Sequence, residues 1–234
     1  DKFRKIAQAK ETPPEVVKII TDMLDLVDMM PKRSKSKNVP TENKERNSAT
    51  YEIRTKLKDF RPSIWRRFII SGNSSVEILE RAILYMFNVD WGHMYGLYNP
   101  ETGVRYENQR NIDAMSEWGP RDSINSEKVK VSAFNEGEKL LLSYDYGDGW
   151  EFEVNIKKID DTKEPPKYPY IISGKGLGII DDIGGVWSLE DYYNTPEDEM
   201  DPELLDWIGG EKIDLDKFDK EELNEGLQHP PYWE

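Results

Sequence analysis

Apolar and polar residues alternate strictly from Tyr51: Tyr51, Ile53, Thr55 and Leu57 fall on one face, and Glu52, Arg54 and Lys56 on the other. That period predicts a half-buried antiparallel strand. KDFRPS turns the chain and IWRRFII supplies the return strand. The period then changes to helical in SSVEILERAILYMF, where Leu79, Ala82, Ile83 and Met86 recur on one side and Ser74 with Glu77 has capping-box spacing. Two short strands are expected around NPETG in HMYGLYNPETGVRYE, and the following polar stretch to about Lys130 carries no clear period. The sharpest hairpin joins KLLLSYDY to WEFEVNIKKI through Gly147, Asp148 and Gly149, residue types that tolerate a tight turn. Short helices are predicted at SLEDYYN, DPELLDWIG and DKEELNEGL, the last with Asp219 and Glu222 spaced as a capping box. The fold class is therefore α+β, an antiparallel sheet with helices packed on it.

Ahead of the sheet, Val16, Ile20, Met23, Val27 and Met30 follow at spacings of four, three, four and three and end at Pro31. This predicts an amphipathic helical arm over residues 1–31 whose stripe is too short for a free coiled coil. It buries itself either on its own domain or against a partner, a second copy included. Residues 32–49 are almost devoid of apolar side chains and read as a flexible linker, leaving 50–234 as the main domain. Lys32, Arg33, Lys35 and Lys37 make that tether basic, without the interleaved aromatics of a nucleic-acid groove.

Composition narrows the chemistry. There is no cysteine, and only His93 and His229 offer imidazole, so disulfides, thiolate metal sites and a structural zinc site are not expected. No apolar run is long enough to span a bilayer and no secretory pattern is present, so a cytoplasmic location is expected. The net charge of -14 is concentrated at one end: residues 181–234 hold 3 Lys/Arg against 18 Asp/Glu. Such a surface repels nucleic acid, and either keeps the chain in solution, docks a basic partner or imitates a polyanion.

Within LSYDYGDGWEFEV, Asp145 and Asp148 admit two readings. With Asp181, Asp182 and His93 they could supply oxygen and nitrogen ligands to Mg²⁺ or Mn²⁺ in a hydrolytic or phosphoryl-transfer site. Residues three apart on a regular strand point to opposite faces, which favours a structural reading instead. In that reading no cofactor is needed, Asp145 pairs with Arg66 or Arg67, and Asp148 is a turn residue. Trp65 and Trp150 anchor the core with satisfied indole N–H groups, and His93 is a hydrogen-bonded structural histidine. In DDIGGVW, Gly184 and Gly185 permit a close backbone approach while Asp181 or Asp182 caps a helix. SGKGLG lacks the spacing of a phosphate loop and reads as a plain loop.

Four blocks, YEIRTKLKDFRPSIWRRFII, LLLSYDYGDGWEFEV, YPYIISGKGLGIIDDIGGVWSLEDYY and LLDWIGGEKIDLDKFDKEELNEGL, together resemble the plasmid pRiA4b ORF-3-like family, also labelled insertion-element passenger proteins of TnpR type. The resemblance spans about residues 50–228. It implies a compact α+β domain associated with prokaryotic mobile elements, and no established reaction. A serine recombinase would need an activated serine among clustered arginines, which this chain offers only at Arg66 and Arg67. Where the family tends to carry a histidine two residues after the hairpin tryptophan, this chain has Phe152; where it carries C-P-P-E-D-x-G-G, this chain reads Gly178 to Gly185. The histidine after the family's first helix corresponds to His93. The favoured expectation is a binding or regulatory module acting through protein contacts. A divalent-metal hydrolase or recombination-related enzyme and an acidic nucleic-acid mimic are the alternatives.

Overall fold

A computed structural model describes residues 41–89, 91–114 and 123–229. The arm at 1–31 lies outside the described residues, as does the linker up to residue 40.

The predicted alternation closes into an eight-stranded sheet of order β5-β4-β3-β6-β7-β1-β2-β8. Its strands are β1 (Thr50–Leu57), β2 (Trp65–Ser71), β3 (Tyr95–Tyr98), β4 (Arg105–Glu107), β5 (Ile124–Asn125), β6 (Lys139–Tyr144), β7 (Trp150–Asp160) and β8 (Tyr170–Lys175). Every neighbouring pair is antiparallel except β4 with β5. Among the described residues the α-helices are α1 (Val76–Met86), α2 (Gln109–Ala114), α3 (Gly185–Asn194), α4 (Pro202–Trp207) and α5 (Lys220–Gln228).

One face of the sheet carries the core. Tyr51, Ile53, Phe68, Ile70, Leu142, Phe152, Val154 and Ile156 join Leu79, Ala82, Ile83 and Met86 of α1 in a single apolar cluster. Each fully buried aliphatic or phenyl side chain contributes about 1.5–3 kcal/mol, which outweighs any helix or strand propensity at these positions. The opposite face is polar and ladder-like. Arg67 grips Glu52 with two hydrogen bonds of 2.8 and 2.9 Å, and Lys56 pairs with Glu153 at 2.9 Å. Trp65 belongs to that open face: half-buried under the Arg54 guanidinium, it is not the core anchor expected of it.

Three local expectations change. The cap of α1 is Ser75, whose hydroxyl accepts from the Ile78 amide, because Ser74 is already engaged by backbone bonding to Val131 and Ser71. The stretch up to Lys130 contains α2 and β5, too short to show a period. Ser173 to Lys175, read as loop, complete the edge strand β8. A register shift opposite Arg67/Phe68 breaks the alternation there, and Gly174 lies under Phe218, where a Cβ would stand 2.6 Å from the ring. The Asn224 side chain on α5 accepts from the Ile171 amide at 2.7 Å and donates to its carbonyl at 3.1 Å, covering this edge against further strand pairing. Residues 43–49, the end of the expected linker, pack on the domain: Ala49 is fully buried and Asn47 accepts from Ser132 at 2.7 Å.

Candidate functional site

The site forms where the end of β6, the approach to β3 and the loop before α3 converge. Asp145 leaves β6 with φ 46°, so the chain breaks strand geometry immediately after Tyr144. Its amide donates to the Met94 carbonyl at 2.9 Å, its carbonyl accepts from Gly149 at 2.7 Å, and its carboxylate accepts from the Gly147 amide at 2.9 Å. The first contact places His93 beside it. The loop 177–182 is drawn to the same place by the C-terminus of α1: the Ile179 amide donates to the Phe87 carbonyl at 2.9 Å, and Asn88 Nδ2 donates to the Ile179 carbonyl at 3.3 Å. Gly178 makes that approach possible, since a Cβ there would lie 2.1 Å from the Phe87 carbonyl oxygen.

His93 Nδ1 stands 3.7 Å from Asp145 Oδ1, and His93 Nε2 stands 3.0 Å from Asp182 Oδ1. Asp145 is buried, His93 half-exposed and Asp182 exposed, and Asp182 also holds a left-handed backbone with φ 60°. The His93 ring meets Tyr144 edge to face at 5.8 Å, and the Tyr144 hydroxyl donates to Asp181 Oδ2 at 2.7 Å. Partial burial lowers the His93 pKa, but the carboxylates of Asp145, Asp182 and Asp181 outweigh it and leave the imidazole above its ordinary value. One ligand atom from each of His93, Asp145 and Asp182 lies within 4.8 Å of the other two. Two ligands on one divalent cation with bonds of about 2.2–2.4 Å lie no more than roughly 4.4–4.8 Å apart, so the set meets the upper bound for sharing one ion, although His93 faces Asp145 with Nδ1 and Asp182 with Nε2. Three protein ligands leave coordination positions open.

Asp148 does not join them. Its Oδ2 accepts from the Gly184 and Gly185 amides at 3.0 and 3.2 Å, capping α3. The helix cap expected of Asp181 or Asp182 is thus supplied by the hairpin turn, while those two aspartates face Tyr144 and His93. Neither arginine pairs with Asp145. Arg66 is fully buried and donates to four backbone carbonyls, those of Met86, Trp65, Lys175 and Leu177, at 3.1, 2.9, 2.9 and 2.7 Å. Its guanidinium is sandwiched between Phe87 and Phe218, and desolvation lowers its pKa to about 9, which leaves it charged at neutral pH. Carbonyl dipoles and two ring faces take the role assigned to a carboxylate. Trp150 is buried in the core as expected, but its indole Nε1 has no hydrogen-bond partner among the described residues.

Beside His93 opens a cleft of about 340 Å³ lined by Arg81, Trp91, His93, Asn108, Arg110 and Glu127 among others. Behind it sits a buried carboxylate layer that the sequence reading missed. Glu80 Oε1 accepts from the Leu97 amide at 3.0 Å, and Glu107 accepts from Asn111 at 3.0 Å and from the Tyr146 hydroxyl at 3.2 Å. Burial is the main cause that raises the pKa of both, well above the usual carboxylate range for Glu80. Gly96 makes room for Glu107, whose carboxylate lies 2.6 Å from where a Cβ would be. The only sequence signal for this layer was Tyr146, inside the same motif as Asp145.

The sequence profile of the plasmid pRiA4b ORF-3-like proteins matches residues 49–224, a span that holds every element of the site. The chain belongs to this family. A crystal structure of a protein of unknown function from Methanosarcina mazei Go1 is 26% identical and superposes with a TM-score of 0.61, covering 74% of this chain and 97% of that one. No curated protein matches the chain significantly. Phe152 and Gly178 stand where the resemblance described above implies a histidine and a cysteine. Phe152 packs against Phe87 with ring centroids 4.8 Å apart, and Gly178 admits the Phe87 carbonyl, so apolar packing and backbone contact occupy both positions.

Proposed function

We propose that this domain binds a divalent cation through His93, Asp145 and Asp182 and presents it to a ligand in the adjoining cleft. Metal-assisted hydrolysis is the reaction class the arrangement serves. The observation that carries this reading is the convergence of three ligand atoms within 4.8 Å from three separate segments of the chain. A mixed imidazole and carboxylate set suits Mn²⁺ better than Mg²⁺, whose preference is for oxygen alone. Open positions on such an ion polarise a substrate oxygen or lower the pKa of a bound water.

The test is a calorimetric and thermal-shift titration of the purified protein with Mn²⁺, Mg²⁺ and Zn²⁺. Micromolar binding that is lost in both His93→Ala and Asp182→Asn supports the site and justifies a phosphodiesterase screen. An absence of binding to all three ions would sink it.

A second reading, a regulatory module acting through protein contacts, is favoured by one observation. Trp187 and Trp207 are 76% and 53% exposed on the acidic C-terminal helices, where solubility alone would favour polar side chains. The plasmid association in the family's name accords with either reading.

A further inference from the structure

We infer that the acidic face formed by the turn Glu197–Glu199 and α4 is a docking surface for a lysine- and arginine-rich protein segment. This deepens the protein-contact reading by naming the partner's chemistry, and it is independent of the cation site.

The charge pattern is one-sided. Between Lys175 and Lys212 the chain has no Lys or Arg, and residues 197–211 hold seven acids: Glu197, Asp198, Glu199, Asp201, Glu203, Asp206 and Glu211. All seven are exposed. Among the described residues none of them is in an ion pair, although Asp201 caps α4 by accepting from the Glu203 amide at 2.9 Å. The nearest cation in sequence, Lys212, is used inward: its ammonium donates to the Tyr193 and Thr195 carbonyls at 3.1 and 2.6 Å and lies 5.6 Å from the centre of the Tyr192 ring. The field of the face is left uncompensated, and a polycation would relieve its self-repulsion.

The second feature is apolar. Leu204, Leu205 and Ile208 turn α4 towards the core, while Trp207 points outward at 53% exposure between Asp206 and the glycine pair Gly209-Gly210. An exposed indole on a segment rich in exposed acids matches a basic segment in two ways: its face takes an arginine guanidinium or the methylene stem of a lysine, and the neighbouring carboxylates supply charge complementarity. Tryptophan is also among the residue types that dominate interface hot spots.

The experiment uses the full chain and fluorescence anisotropy with two labelled twelve-residue peptides, one of Lys, Arg, Gly and Ser with six positive charges, the other neutral and of equal length. The expected result is micromolar binding of the cationic peptide at low salt and none of the neutral one. Trp207→Ala and the double variant Glu203→Lys/Asp206→Lys should each weaken binding at least tenfold while circular dichroism melts stay unchanged. Failure of the cationic peptide to bind would overturn the inference. So would equal binding to wild type and both variants, which marks unspecific attraction to a polyanion. If the neutral peptide binds through Trp207, the basic-partner assignment falls while the protein-contact reading stands.

Discussion

Asp148 and Gly185 hold each other. The Asp148 carboxylate accepts the Gly185 amide at 3.2 Å, and a Cβ on Gly185 would stand 2.4 Å from the Asp148 carbonyl oxygen. The hairpin turn and the start of α3, 37 positions apart in the chain, are thereby locked at backbone distance, and Asp182 is carried into reach of His93. Gly185 also has φ 82°, which a side chain would strain. Gly185→Ala should therefore cost roughly 2–4 kcal/mol, clash and left-handed backbone together. Asp148→Ala, which removes only the cap, should cost about 0.5–2 kcal/mol. Urea denaturation of the two variants checks the order.

The proposed cation site and the ion pairs of His93 should respond to pH with opposite signs. The neighbouring carboxylates raise the His93 pKa, so the stabilisation from its imidazolium is present below the unfolded value of about 6.5 and is lost as pH rises through the higher folded value. A metal ligand must be neutral, so Mn²⁺ affinity should climb over that same rise and level off above it. Calorimetry between about pH 6 and 8.5 should show tighter binding with net proton release, while the apo protein loses a little stability over the same window.

Glu80 makes alkaline conditions unfavourable. Burial raises its folded pKa, so its contribution is present below the unfolded value and is lost as pH rises through the folded one, with a limiting slope of about 1.4 kcal/mol per pH unit. Glu80→Gln keeps an acceptor for the Leu97 amide and cannot ionise. It should match the wild type in mild acid and exceed it at high pH, which chemical denaturation across pH would reveal.

Two adjacent arginines should behave very differently. Arg66→Lys keeps the charge but cannot serve four carbonyls and two ring faces, and leaving buried acceptors unsatisfied should cost at least about 2 kcal/mol. Arg67→Ala removes an exposed surface pair with Glu52 and should leave the melting temperature almost unchanged. Thermal melts of the two variants separate them.

Strand alternation at Tyr51–Leu57 and Trp150–Ile156, the helical stripe of α1 and the Asp219 cap were legible because side-chain period and local turn chemistry act over a few residues. His93, Asp145 and Asp182, which the fold brings together, all stood among the candidates read from the sequence. What it could not decide was partnership. A carboxylate and two arginines on predicted strands suggested an ion pair, yet Arg66 found carbonyl oxygens and Asp145 found a histidine, because the choice depends on which backbone groups a fold leaves unsatisfied in the interior. The buried Glu80 and Glu107 were invisible for the same reason, since burial is a property of the assembled sheet. By itself the sequence determined the elements, the acidic C-terminal end and the residue types available for chemistry; only the tertiary structure decided which of them meet, because contacts between segments 36 or 89 residues apart are set by packing and backbone hydrogen bonding rather than by local pattern.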